Sequence, residues 1–185
     1  KFRRFHRVLD FSHEVTLLLL TEAMQNELAW TLSSINPKNA VINIDDPSNE
    51  ELHKLADSLA RLQKECTQHS PNEFIIPNLV SIMQKAKQLI DKGPGFAVIK
   101  GLPLDIFNRE TVTKMYWILG QIIGRPVAQK WDGSMLYEVR DTGQTYSYGV
   151  RGSYTNVELC FHNDNAFNIA VPRAVGLLLS LINIS

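Results

Sequence analysis

The chain has 185 residues, 44% of them hydrophobic and 21% charged, with 19 basic and 19 acidic side chains that cancel to a formal net charge of zero. This is the composition of a soluble globular protein large enough for one substantial core, and its neutral balance argues against nucleic acid or an anionic membrane as a partner. Two cysteines in unlike contexts, Cys66 and Cys160, argue against a disulfide framework and for a reducing compartment.

The start of the chain, Lys1 to Arg7, is basic and aromatic, but Asp10 and Glu14 interrupt any signal-peptide pattern. A cytoplasmic protein is therefore expected, with a mitochondrial presequence as the alternative reading of these residues. The apolar run from Val15 to Leu20 is far too short to span a membrane. Residues 14 to 35 carry apolar positions at helical spacing (Val15, Leu18, Leu19, Met24, Leu28, Leu32) and predict a helix that Pro37 stops. Residues 40 to 44 then read as a short strand, and Asp45-Asp46-Pro47 as a turn.

Ser48 followed three residues later by Glu51 has the pattern of a capping box, opening a helix through Gln68 whose apolar face is Leu52, Leu55, Leu59, Leu62 and Cys66. His53 and His69 flank it and read as exposed helix-surface histidines. A third helix spans residues 78 to 91, with Lys85, Lys87 and Lys92 toward its C-terminal end and Gly93-Pro94-Gly95 terminating it. Phe96 to Ile99 predicts a buried strand, bracketed by Gly95 and Gly101 as backbone bends. Asn108 caps a fourth helix to about Ile123, with Gly124 after it. Trp117 and Trp131 read as core residues.

From Pro126 the pattern changes to short β segments at 127–131, 136–140, 157–161 and 175–184, around a polar and aromatic loop from Asp141 to Thr155. Helices followed by strands predict an α+β protein, with helices packed beside an antiparallel sheet. The chemistry concentrates in Glu158-Leu159-Cys160-Phe161-His162-Asn163-Asp164, read as a strand running into a loop. Side chains two apart on a strand share a face. His162 and Asp164 thus project an imidazole and a carboxylate together, two thirds of the facial site that holds non-haem Fe(II). The competing reading is a strand-end histidine satisfied by a neighbouring loop aspartate. Cys160 shares the same face and could add a sulfur ligand.

Several segments together resemble the taurine catabolism dioxygenase family, of the clavaminate synthase-like, Fe(II)- and 2-oxoglutarate-dependent group. They are Gly95 to Pro103, the helix ending at Leu119-Gly120 with Ile123-Gly124, Leu136 to Arg140, Glu158 to Asp164, and Pro172 with Val175 to Leu179. Phe74 to Leu79 is similar to the lead-in before the first of these. The resemblance covers residues 72 to 180 and divides the chain into an N-terminal helical region, 1–71, and the N-terminal portion of a dioxygenase domain, 72–185. It implies a partial double-stranded β-helix (jelly-roll) core, with His162 and Asp164 as Fe(II) ligands, 2-oxoglutarate as co-substrate, O2, and a small-molecule substrate.

Tyr148, Arg151, Tyr154 and Asn156 are the candidate substrate contacts, because the loop that carries most of them precedes the metal strand; rim packing and turn chemistry are the alternatives. The family's distal histidine, and the arginine that pairs with 2-oxoglutarate, have no counterpart: no histidine follows His162. The expectation is therefore a fragment or truncated form, inactive alone. A non-catalytic interaction module is the alternative function, and a small unrelated metal-binding protein a third. The run Leu177 to Ile184 is expected to be a strand covered on both faces, with self-association through it if the covering strands are missing.

Overall fold

The computed structural model describes residues 30–31, 33–139, 142–150, 152–158, 162 and 171–179. They fall into two compact units: the described residues up to Pro126 together with those from Gly176 onward, and those from Val127 to Val175. The helix expected over 14–35 lies mostly outside the described residues, and Ser33-Ser34 form a turn.

In the first unit the chain runs β1 (Val41–Asn43), α1 (Asp46–Arg61), α2 (Pro77–Lys92), β2 (Val98–Lys100) and α3 (Arg109–Ile123). The strands pair in parallel, Ile42 opposite Ile99. The expected antiparallel sheet is thus not what this pair makes. Two helices intervene between β1 and β2 and carry the chain back to the starting edge, as a parallel pairing requires. Phe96 to Ile99 is half-buried rather than buried, since two three-residue strands cannot enclose one another.

The core lies between the helices. Leu52, Leu55, Leu59 and Ala56 of α1 face Leu79, Ile82, Met83 and Ala86 of α2 and Val112, Met115, Ile118 and Leu119 of α3. Leu52, Leu55, Leu79 and Ile118 are each at most 2% exposed. At about 1.5–3 kcal/mol apiece, these four contribute on the order of 6–12 kcal/mol, the size of a domain's whole net stability. The helical layer, not the strand pair, holds this unit together. Trp117 belongs to this core at 7% exposure, as expected; Trp131 does not, being 95% exposed, because its segment forms a surface turn with Gly133 N bonded to Lys130 O.

The helix termini are capped differently from the sequence pattern. Asp45, not Ser48, is the N-cap of α1, its carboxylate accepting from Ser48 N at 3.0 Å. Glu51 reaches instead to the next helix, where Oε1 accepts from Asn78 N and Oε2 from Leu79 N. Helix α1 stops at Arg61, seven residues short of the expected end, because Leu62 turns extended. The rest of the stripe is a separate 3-10 turn, Cys66–Gln68. Asn108 caps α3 as expected, accepting from Thr111 N at 2.9 Å. Gly95 and Gly101 have φ of 81° and 89°, and Gly101 makes the bend that lets Ile44 N reach Lys100 O at 2.8 Å.

Candidate functional site

The metal-strand candidates begin with His162, which is described and exposed. Asp164, Cys160 and Arg151 lie outside the described residues. The second unit carries the rest of the candidate site without strands: none forms among its described residues of 127–131, 136–139 and 157–158, and none among the described residues 175–179. What orders this unit is local hydrogen bonding by small polar side chains. Ser134 N and Oγ both donate to Asp132 Oδ1, and Gln129 N bonds Ser134 O at 2.7 Å. These bonds hold the Asp132 carboxyl below its ordinary range. Lys130 lies over the Tyr137 ring at 4.7 Å from its centre.

The loop ahead of His162 is closed by one residue pair. Thr142 donates to the Tyr154 carbonyl twice, from N at 3.0 Å and from Oγ1 at 2.9 Å. Between them Val150 N bonds Ser147 O, and Gly152–Tyr154 form a 3-10 turn that Thr155 closes with two donations to Gly152 O. Tyr148 stands fully exposed at the loop tip, Tyr154 is half-buried, and Asn156 is exposed. A shallow surface depression is lined by Tyr146, Ser147, Tyr148, Gly149 and Val150. Of the three described substrate candidates, Tyr148, Tyr154 and Asn156, only Tyr148 lines this depression.

The other two described histidines, His53 and His69, differ from each other. His53 is exposed on α1, edge-on to Phe107 at 5.0 Å between ring centres. His69, expected at the surface, is 2% exposed. It was missed because the helix it was read onto ends at Arg61, and the following connector folds inward. Among the described residues no three of His, Cys, Asp and Glu come together as a metal cluster. Cys66 is half-buried, its Sγ 3.7 Å from Thr113 O, and burial pushes its thiol up, away from the reactive thiolate.

The model of the taurine catabolism dioxygenase TauD, TfdA family matches residues 63–181, more than half of the chain. The chain belongs to that family. No curated protein matches it. Membership places this TauD/TfdA-family chain among oxygenases in general, whose members generally use Fe(II) and 2-oxoglutarate. The matched span contains His162 and Asp164 and also the α2–β2–α3 region. Among the described residues no helix is long and apolar enough to cross a membrane.

The donor chemistry of the candidate pair fits Fe(II) in part. One neutral nitrogen and one anionic oxygen suit a borderline divalent cation and leave room for exogenous ligands. The third protein ligand of a facial site is not supplied by any cluster among the described residues.

Proposed function

We propose that this chain carries the metal strand of an Fe(II)- and 2-oxoglutarate-dependent dioxygenase, with His162 and Asp164 as two ligands on a partial double-stranded β-helix. The observation that supports this reading is the family match over 63–181, which includes His162 and Asp164 in His-x-Asp spacing. When bound, Fe(II) with 2-oxoglutarate and O2 would supply the oxidation that hydroxylates a substrate C–H bond, with succinate and CO2 as co-products.

The chain's own residues would bind and orient. His162 presents an exposed imidazole that a metal from solvent can reach. Asp164 would add the negative charge that favours a hard divalent cation over thiolate-seeking metals. Tyr148, Arg151, Tyr154 and Asn156 would face a small organic substrate: Arg151 as a cation for an anionic group, Tyr148 as an exposed ring, Asn156 as a hydrogen-bonding amide. The protein would act in the cytoplasm or mitochondrion. The test is equilibrium binding of Fe(II), with and without 2-oxoglutarate, in the wild type and in His162→Ala. Fe(II) bound by the wild type and lost in His162→Ala supports the reading; Fe(II) binding unaffected by that substitution contradicts it.

A second reading, a non-catalytic interaction module, draws on the exposed apolar side chains Val175, Leu177 and Leu179, at 54%, 74% and 77% exposure. They differ from the strand covered on both faces that the sequence predicts. They would serve self-association through a second copy of the chain.

A further inference from the structure

His69 combines two properties, an unpaired buried ring and a backbone carbonyl that fastens its connector. Its ring is 2% exposed, and neither Nδ1 nor Nε2 has a hydrogen-bond partner. Its backbone carbonyl accepts two side-chain donors from α3, Trp117 Nε1 and Gln121 Nε2, each at 3.0 Å. The residue that fastens the connector 62–76 to α3 therefore also carries an unpaired buried imidazole. A neutral ring tolerates that setting; an imidazolium does not, because a buried charge needs a partner or water.

The groups that face the ring cannot supply full compensation. Glu73, from the 3-10 turn Pro71–Glu73, favours the charged form, but it is already bound by Lys64 Nζ at 2.6 Å. Lys114 of α3 and the Lys64 ammonium oppose it, and the Lys64 backbone favours it weakly. Phe74 covers the ring at 6.0 Å between centres. Burial is the leading cause that holds the His69 pKa below its ordinary 6.5.

We propose that His69 is an acid-sensitive latch: protonation of its ring releases connector 62–76 from α3 and opens this edge of the helical unit to water. The sign follows from linkage. The neutral ring is favoured in the folded state, so the closed state is fully present above 6.5. Opening grows by up to about tenfold for each pH unit as pH falls from there toward the lower folded-state value. The latch lies at the start of the family-matched span and does not depend on the metal reading.

The test is hydrogen–deuterium exchange of the whole chain near pH 7.5 and near pH 5.5, corrected for intrinsic exchange, on the wild type, His69→Gln, His69→Phe and His53→Gln. Peptides covering 62–76 and 109–123 should lose protection several-fold at the lower pH in the wild type and His53→Gln, and not in the His69 variants. Should both His69 variants fail to fold, NMR titration of the wild-type ring decides. Titration below 6.5, in step with loss of connector protection, supports the latch. Titration at or above 6.5, or an unchanged pH response in a folded His69 variant, overturns it.

Discussion

The buried carboxylate of Glu51, in the second turn of α1, accepts a hydrogen bond from the backbone of Leu79 in the first turn of α2, at 2.9 Å. Its other oxygen takes Asn78 N at 3.0 Å and Asn78 Nδ2 at 2.6 Å. Helix α2 opens on Ile76-Pro77, and Ile76 has no side chain to cap with. A side chain from the neighbouring helix does so in its place. Lys87 of α2 in turn donates to Ile123 O at 2.8 Å, placing a cation at the C-terminus of α3. Each helix thus closes an end of the next, with charge of the sign that the helix dipole favours.

Glu51→Ala should therefore destabilise the helical unit by about 1–3 kcal/mol, because the buried N–H of Leu79 and the part-buried N–H of Asn78 lose their acceptor. Ser48→Ala should be close to neutral, since Ser48 Oγ is buried without a partner. Urea unfolding of the two variants beside the wild type checks this. If Ser48→Ala costs more than Glu51→Ala, the sequence pattern's capping box, not the cross-helix cap, is what matters.

A second prediction concerns Gly101. Its φ of 89° lies where side chains are strained, although a Cβ there would sit 3.5 Å from Ile44, in ordinary contact. Gly101→Val should cost about 1–3 kcal/mol through the backbone, seen as a lowered Tm. Gly120→Ala, in open space on α3, should gain about 0.5–1 kcal/mol. Equal tolerance at both positions would contradict the turn geometry.

The acid response should have a second window below that of His69. Ser48, first through the hydroxyl beside the carboxylate and then through its backbone N–H bonded to Oδ1 at 3.0 Å, holds Asp45 below its ordinary 3.8. A lowered folded-state pKa gives stability that is present above 3.8 and lost as pH falls through the folded value. Lys64 does the same for Glu73, and Lys114 for Glu110. Asp45→Asn should keep the cap while flattening this part of the pH–stability curve, measured by thermal unfolding from neutral pH to about pH 3. An unchanged acid slope would contradict it.

How far the sequence was legible depends on whether the signal was local. The periodicities of Leu52-Leu55-Leu59, Leu79-Ile82-Met83 and Val112-Met115-Leu119, with Asn108 as a cap, located three helices within a few residues, apart from the early end of α1 at Arg61. The fate of Glu51 was not legible, because the same Ser-x-x-Glu spacing serves a box within one helix or a carboxylate aimed at another. Ile76-Pro77 was the available hint that α2 needs an outside cap. His69 was misplaced because a helical stripe through Cys66 is also satisfied by a 3-10 turn. The parallel pairing of β1 with β2 is a tertiary relation that no local pattern encodes. At the candidate site His162 is described and exposed, while Asp164 lies outside the described residues.

Self-association should follow from the apolar residues near the end of the described chain. Sedimentation should show concentration-dependent association that Leu177→Lys and Leu179→Lys reduce. A monodisperse wild type across the accessible range would remove the second-copy reading.

The metal pair is the central claim, and anaerobic Fe(II) titration tests it most directly, with bound metal counted after equilibrium dialysis. The wild-type chain should bind Fe(II), and His162→Ala and Asp164→Ala should each weaken binding by more than about tenfold, while His53→Gln leaves it unchanged. Fe(II) retained undiminished by His162→Ala would contradict the assignment.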